Sequence, residues 1–356
     1  MAIQRYNVVG VMSGTSLDGV DVAQVVFTND NGKWNFEIKD AETIPYNDSW
    51  VRQLKQAVDY DAQQLKQLDI DYTELLGTII NSFTRKYNLT AIDAVCSHGH
   101  TILHKPHLGI TLQIGNLPRI AQITGVKTIC DFRVQDVQLG GQGAPLVPIG
   151  DRLLFSDYDA CLNLGGFSNI SFEKAGHRLA YDICPVNTVL NHYANRLGLD
   201  YDDGGKIAAA NAINQDLLNE LDALEFYAQP FPKSLGFEFV KDKVLPLMHN
   251  HSITPGGALA TFTEHVAVQI SNVVKTTEVD SLLVTGGGAY NTHLINRLSE
   301  LLPETLIEIP DDKTIQYKEA LIFALLGVLK MRGDINVLAS VTGASHDHSS
   351  GNVYLP

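Results

Sequence analysis

Val8-Val9-Gly10-Val11-Met12-Ser13-Gly14-Thr15-Ser16-Leu17-Asp18-Gly19-Val20-Asp21-Val22-Ala23-Gln24-Val25-Val26-Phe27 reads as two strands joined by a polar turn. Val8, Val9, Val11 and Met12 make an apolar strand that ends at Ser13-Gly14-Thr15-Ser16, and Asp21 to Phe27 begins a second. Asn29-Asp30-Asn31-Gly32 contains an N-G step, the strongest short-range hairpin signal. Beyond it Trp34, Phe36 and Ile38 alternate with Asn35, Glu37 and Lys39, the period of a half-buried strand. The opening is therefore an antiparallel meander with a polar turn at its front.

Working outward, helical patterns run between Trp50 and Tyr87, and strand-like runs return at Ala94–Cys96, Ile110–Ile114 and Val126–Cys130. A weaker echo of the opening lies mid-chain. Asp159–Leu164 reads as a strand, Gly165-Gly166-Phe167-Ser168 as a turn, Asn169–Phe172 as a strand and Thr188–Leu197 as a helix. Later, strand Ser281–Thr285 meets Gly286-Gly287-Gly288 and a helix from Asn291 to Leu302. Two halves with this pattern imply a duplicated α/β unit with a cleft between them. The expected division is 1–133 plus 336–356 as domain I, with the Gly14 turn, and 134–335 as domain II, with Asp182 and the Gly286 turn. The first crossing is expected in the Gly/Pro-rich stretch Leu139–Pro148 or just before it.

Composition narrows the function. The 356 residues are 45% hydrophobic and 19% charged, the balance of a globular chain with a sizeable core. Lys and Arg number 26 against 40 Asp and Glu, a net charge of −14, which excludes a protein that covers the nucleic-acid backbone. It does not exclude a nucleotide substrate, whose phosphates Mg²⁺ and backbone N–H groups can hold. The longest apolar run, Ala320–Leu329, falls well short of the ~20 residues a bilayer needs and reads as a buried helix. The start lacks a signal-like apolar segment, and Cys96, Cys130, Cys161 and Cys184 form no C-x-x-C pair. A cytoplasmic, reduced protein without membrane segments is expected.

Several residues carry candidate chemistry. Gly14, Thr15, Ser16, Leu17, Asp18, Gly19, Val20 and Asp21 place glycines, hydroxyls and carboxylates in one turn. Such a turn either cradles a phosphate, with Asp18 reaching Mg²⁺ through water, or is an ordinary hairpin; no Walker A Gly-Lys follows. Gly286, Gly287 and Gly288 open a helix, where backbone N–H groups favour an anion, and Gly165-Gly166 occupy a similar place. Asp182, at the end of a short apolar run, is either a general base or else a helix cap or turn residue. His98, His100, His104, His107, His346 and His348 invite a metal hypothesis, but their spacing matches no metal motif and Lys105-Pro106 interrupts any helix. Ordinary loop histidines are the simpler reading, and no metal ligand is assigned.

These blocks resemble the anhydro-N-acetylmuramic acid kinases nearly end to end. The matching stretches are Gly10–Asp21, His98-Gly99, Asp131-Phe132-Arg133, Gly140–Leu146, Leu164–Asn169, Tyr201-Asp202 with Gly205, Pro232-Lys233-Ser234, Gly286–Gly288 with Asn291, Lys318-Glu319-Ala320 and Ser340–Ala344. The resemblance implies an α/β, two-domain actin-like ATPase fold of the sugar kinase and acetate kinase type, with a central cleft. It implies ATP and Mg²⁺ as cofactors, an anhydro sugar as substrate and a homodimer, with no nucleic-acid or membrane partner. Family members open 1,6-anhydro-N-acetylmuramic acid with water and phosphorylate it in cell-wall recycling. Gly14–Asp21 then match the ATP-phosphate loop, Gly165, Gly166, Gly286–Gly288 and Asn291 lie by the nucleotide, and Asp182 falls on the catalytic base. Glu319 matches a second catalytic carboxylate.

The chain departs from the family pattern at definite places. Asp182-Ile183-Cys184-Pro185-Val186-Asn187 stands where D-T-G-P-G-N is usual, which predicts strain at any positive φ and a narrower sugar pocket. His100 replaces a Gln, and Leu235 and Phe237 replace a Thr and an Arg. Two rival functions share the scaffold: a kinase or phosphatase for a different small sugar, and a non-catalytic ATP-binding regulator. A metal hydrolase built on the histidines ranks below both.

Overall fold

The computed structural model describes residues 3–14 and 16–356. The apolar alternation of the opening becomes three antiparallel strands, β1 (Gln4–Ser13), β2 (Gly19–Asp30) and β3 (Lys33–Pro45). Asp30 pairs with Lys33 around Asn31 and Gly32, both at positive φ (52° and 96°), the conformation an N-G step supplies. β4 (Ala94–Lys105) lies parallel to β1, with β5 (Ile110–Ile114) antiparallel on it and β6 (Thr128–Cys130) parallel beyond it. β4 is much longer than the expected Ala94–Cys96, because its polar residues after Cys96 are held by pairing with β5. The helix Ala62–Lys86, started by a capping box between Asp61 and Gln64, buries Leu68, Tyr72, Leu76, Ile80 and Phe83 against this sheet.

The second sheet repeats the plan. β7 (Ala160–Leu164), β8 (Phe167–Lys174) and β9 (His177–Pro185) form an antiparallel meander, and β10 (Ser281–Thr285) and β11 (Leu306–Glu308) extend it in parallel from β7. β12 (Asn352–Tyr354) returns to pair with β6. The order β3-β2-β1-β4-β6 thus matches β9-β8-β7-β10-β11 strand for strand, in direction as well as sequence. This is the duplicated α/β architecture of the actin-like ATPase class. In the second sheet the helix Pro255–Thr277, capped by Thr254, supplies Ala258, Leu259, Phe262, Val266 and Ile270 to the core.

The two compact units change over at 154/155 and 316/317, where the sequence had placed the crossings at 133/134 and 335/336. Hydrogen bonding explains the shift. The fully buried Asp136 accepts from the Gly143 N–H (2.6 Å) and the Thr342 hydroxyl (2.7 Å), and the Gln142 N–H donates to Thr342 O (2.8 Å). The Gly-rich stretch is therefore sewn to the returning C-terminal segment inside the first unit. At the other crossing the helix Asp312–Arg332 is interrupted at Tyr317 (φ −112°, ψ 18°), and beyond it Lys318 pairs with Asp151 at 2.8 Å. Its apolar run Ala320–Leu329 is buried throughout, and among the described residues no helix is long and apolar enough to cross a membrane.

Candidate active site

In the first unit, β1 ends at Ser13 and β2 starts at Gly19, leaving the turn whose Thr15 lies outside the described residues. Asp18 Oδ1 accepts from Ser16 Oγ (2.6 Å) and from the Gly19 N–H (3.1 Å). The Ser16 hydroxyl, expected as a phosphate donor, is thus engaged within the turn. Leu17 sits at φ 62°, a left-handed conformation that typically costs about 1–3 kcal/mol outside glycine. Gly14 has no such need: a Cβ there would meet nothing nearer than Ser16 Oγ at 3.4 Å, so its missing side chain leaves backbone bare. Gly19 and Val20 serve the sheet instead. A Cβ at Gly19 would lie 2.4 Å from Ile44 O, and Val20 is in the core.

Beneath this turn runs a buried polar chain. Ser13 Oγ bonds to Tyr46 OH (2.7 Å) and to His100 Nδ1 (2.8 Å), and Tyr46 and Tyr72 share a hydrogen bond. Burial drives the His100 pKa down to about 4, so the ring is neutral near pH 7. Asp21, paired with Met12 at the strand ends, accepts from Thr43 Oγ1 at 2.6 Å. Burial raises its pKa against that bond, and Asp18 raises it further.

Glu319 follows Lys318 in the resumed helix. Its side chain is open to solvent, yet the protein around it strips enough water to raise its carboxyl; Asp21 adds to the rise and Arg133 opposes it. Arg133 is fixed by two bonds, from Nε to His98 Nε2 (2.8 Å) and from Nη1 to Gly143 O (2.6 Å). Because Nε2 accepts, the His98 proton belongs on Nδ1, which faces Gly99 O at 3.0 Å. Burial, then Arg133, hold His98 well below its ordinary pKa.

In the second unit Asp182 is neither cap nor turn residue but lies within β9. Ser168 pairs with Cys184 and Asn169 with Asp182, so Ile183 is the extra residue of a β-bulge. Bulges re-aim neighbouring side chains, commonly beside active sites. Ser168 Oγ closes the gap, donating to Cys184 O (3.1 Å) and accepting from the Cys184 N–H (3.2 Å). Asp182 Oδ2 accepts from the Leu235 N–H (2.8 Å), and the Asp182 N–H donates to Lys233 O (3.1 Å). Burial raises its pKa and the Leu235 N–H partly offsets this.

The substitutions after Asp182 do not produce the expected backbone strain. None of Ile183, Cys184 and Val186 has positive φ, and all three are buried in the core of the second unit. Burial pushes the Cys184 thiol up to about 12, and all four cysteines are buried and outside any disulfide.

The glycine turns of this unit divide in role. Gly165 O accepts from the Asn187 N–H (3.2 Å), and Gly166 O from the N–H groups of Val186 (2.8 Å) and Thr188 (3.2 Å). These glycines therefore clasp the start of the helix Asn187–Asn195. Gly286 needs its φ of 83°, and a Cβ would lie 2.6 Å from Asn163 Oδ1. At Gly287 a Cβ would meet only Asn187 Nδ2, at 3.8 Å. Gly287 and Gly288 line a cavity of about 430 Å³ with Asn291, Asn187, Asp202 and Tyr201. Asn291 also caps the helix Thr292–Leu301 through the Leu294 N–H (3.1 Å). Asn187 and Tyr201-Asp202 were not assigned to a site from sequence, because nothing local ties them to the glycine turn about a hundred residues away.

The histidines scatter. His98 and His100 are buried in β4, His104 is exposed, and no group of three or more His, Cys, Asp or Glu placed to hold a metal occurs among the described residues.

Fold and site together define a duplicated α/β protein with an open polar turn in one unit and a carboxylate on a bulged strand in the other. The family model for anhydro-N-acetylmuramic acid kinase matches residues 6–356. The anhydro-N-acetylmuramic acid kinase of Pasteurella multocida is 35% identical, covering 97% of this chain and 96% of its own, and that of Idiomarina loihiensis is 34% identical over 96% of both. Among solved structures, the activator of 2-hydroxyisocaproyl-CoA dehydratase from Clostridium difficile, with bound ADPNP, aligns with a TM-score of 0.42 at 16% identity, covering 90% of this chain and 93% of that one. The chain belongs to the anhydro-N-acetylmuramic acid kinase family.

Proposed function

We propose that this protein uses ATP to open 1,6-anhydro-N-acetylmuramic acid with water and phosphorylate it to N-acetylmuramic acid 6-phosphate. The observation that carries the mechanism is Asp182, half-buried on a bulged strand, with its carboxyl raised by burial and one oxygen held by the Leu235 N–H. A base so placed is stronger than a solvated carboxylate, and its second oxygen is left for a water.

The substrate has no free 6-hydroxyl, so the internal ether must open before O6 can be phosphorylated. Asp182 takes one proton from a water whose oxygen bonds to C1. The C1–O6 bond breaks, O6 bonds to the γ-phosphorus, and the bond from that phosphorus to the ADP oxygen breaks. A positioned base of this kind contributes roughly 10²–10⁴-fold in rate.

The bare backbone at Gly14, in the turn Gly14–Asp21, receives the phosphates, and the cavity beside Gly287 receives the nucleoside. Glu319, steered by Arg133, is the second carboxylate. Mg²⁺ fits a hard-oxygen setting in which burial, and then Asp18, raise the cost of ionising Asp21, and it would neutralise phosphate charge; Asp18 would hold it through water. A cytoplasmic homodimer without nucleic-acid or membrane partners completes the reading, supported by the −14 charge and the family membership.

The test is sugar-dependent ADP release in H₂¹⁸O. Label at C1 of the product is expected, together with a fall of kcat in Asp182→Asn by at least about tenfold. A variant retaining more than about a tenth of kcat refutes the base role. ADP release indifferent to the sugar would favour another substrate, and tight ATP binding without turnover a regulator.

A further inference from the structure

We propose that Lys233 is a positioning residue for Asp182, acting through the backbone segment that grips the base from two sides. This rests on the reading of Asp182 as the base. Residues 233–236 belong to no helix or strand, yet within them Lys233 O accepts the Asp182 N–H and the Leu235 N–H holds Asp182 Oδ2. A segment without its own hydrogen-bonded ladder orients a carboxylate only if something else fixes it.

The Lys233 side chain supplies that anchor. Nζ donates to Phe226 O (3.0 Å) and Tyr227 O (3.3 Å), and sits 4.6 Å from the centre of the Phe226 ring. Backbone carbonyls and a ring face together make a seat for a cation. The seat is itself braced: Tyr227 OH meets His265 Nε2 at 2.9 Å, and His265 Nδ1 meets Asp222 Oδ1 at 2.6 Å. His265 is fully buried on the long helix Pro255–Thr277, so the chain of contacts runs from Asp182 into the core. Burial raises the Asp182 carboxyl and the Leu235 N–H lowers it, so the anchor reaches the base through the backbone it fixes. The sequence reading places Lys233 only in a Pro-Lys-Ser match; the structure gives it a task that its charge alone would not suggest.

The experiment compares Lys233→Met, which keeps the stem and removes the donors, with Lys233→Gln and Lys233→Arg, which keep donors. Each is assayed for ADP release with the anhydro sugar across pH, beside wild type and Asp182→Asn. Lys233→Met is expected to lose up to roughly 10²-fold in kcat, the usual cost of about 1 Å of misplacement, with KM for ATP little changed. The acid limb of kcat should move to higher pH, because the Leu235 N–H that favours the carboxylate is no longer held in place. Arg should recover most of the rate and Gln less. Lys233 also borders a cavity of about 380 Å³, so ethylammonium should partly restore Lys233→Ala. A folded Met variant with the wild-type rate and acid limb overturns the proposal; if Met does not fold, a Gln variant with the wild-type profile does so. Equal losses in Met and Arg with an unmoved acid limb also overturn it, since they mark a role in folding alone. An active Asp182→Asn sinks the base reading instead, whatever the Lys233 variants do.

Discussion

His100 offers a test whose size follows from its surroundings. Its ring is 2% exposed, bonded to Ser13 Oγ at 2.8 Å, and its pKa falls from 6.5 to about 4 through burial. Because the folded pKa is below the unfolded one, the unfolded chain takes up the proton first as pH falls. Stability from the neutral ring is complete above pH 6.5 and is lost between there and about pH 4. At ~1.4 kcal/mol per unit the loss is about 3 kcal/mol. His98 moves the same way, whereas Asp21 and Glu319, whose pKa values are raised, gain folded-state stability as pH falls. Wild type alone therefore mixes opposing effects, and the comparison with His100→Gln isolates the ring. The chain's two tryptophans, Trp34 and Trp50, both lie in the first unit, so their fluorescence in urea reports that unit. Trp50 stands edge-on to Tyr72 at 5.7 Å, and Tyr72 lies 5.9 Å from His100. The stability advantage of wild type over the variant should shrink by about 3 kcal/mol from neutral pH to about pH 4. A difference that stays constant within about 0.5 kcal/mol would refute the burial argument.

Gly286→Ala should lower the stability of the second unit by about 2–4 kcal/mol, combining a disfavoured φ of 83° with a Cβ 2.6 Å from Asn163 Oδ1. Gly287→Ala, with its nearest contact at 3.8 Å, should leave the melting temperature unchanged and weaken ATP binding measured by calorimetry. Equal thermal losses in the two would contradict the division between a structural and a ligand-facing glycine. Glu319→Gln should reduce kcat by about tenfold or more without loss of stability, since the amide removes the desolvation cost of the charge and the Asp21 repulsion, which together outweigh the lost attraction to Arg133. A wild-type rate in steady-state assays would remove Glu319 from the chemistry.

Local patterns reveal those parts of the fold that local physics settles. The meander β1–β3 follows from alternation and the Asn31-Gly32 turn, and the buried run Ala320–Leu329 from its apolar length. Position 182 was legible as a carboxylate near a helix, but its place on a bulge was not. The bulge depends on Ser168 across the sheet, and the carboxylate orientation on Leu235, 53 residues later. The same holds for the crossing points between units. The Gly-rich stretch looks like a linker until Asp136 and Thr342, more than two hundred residues apart, are seen to hold it. The polar chain of Ser13, Tyr46, Tyr72 and His100 likewise joins four segments with no common motif.

The duplication makes the two meander turns direct counterparts, and their hydrogen bonds differ. Between β7 and β8 the carbonyls of Gly165 and Gly166 take up the N–H groups of Val186, Asn187 and Thr188. Those are the donors that a helix start would otherwise offer to a phosphate, and three engaged donors leave little for an anion. Between β1 and β2, among the described residues, Ser16 and the Gly19 N–H bind Asp18, and a Cβ at Gly14 would meet nothing nearer than Ser16 Oγ. On the proposed function, an identical strand plan gives one turn to packing and leaves the other for a ligand. On the proposed mechanism this sorts the sequence candidates without reference to their composition. Phosphate contacts fall to Gly14 and its neighbours, nucleoside contacts to Gly287 and Gly288, and Gly165-Gly166 hold the helix that follows the strand carrying Asp182.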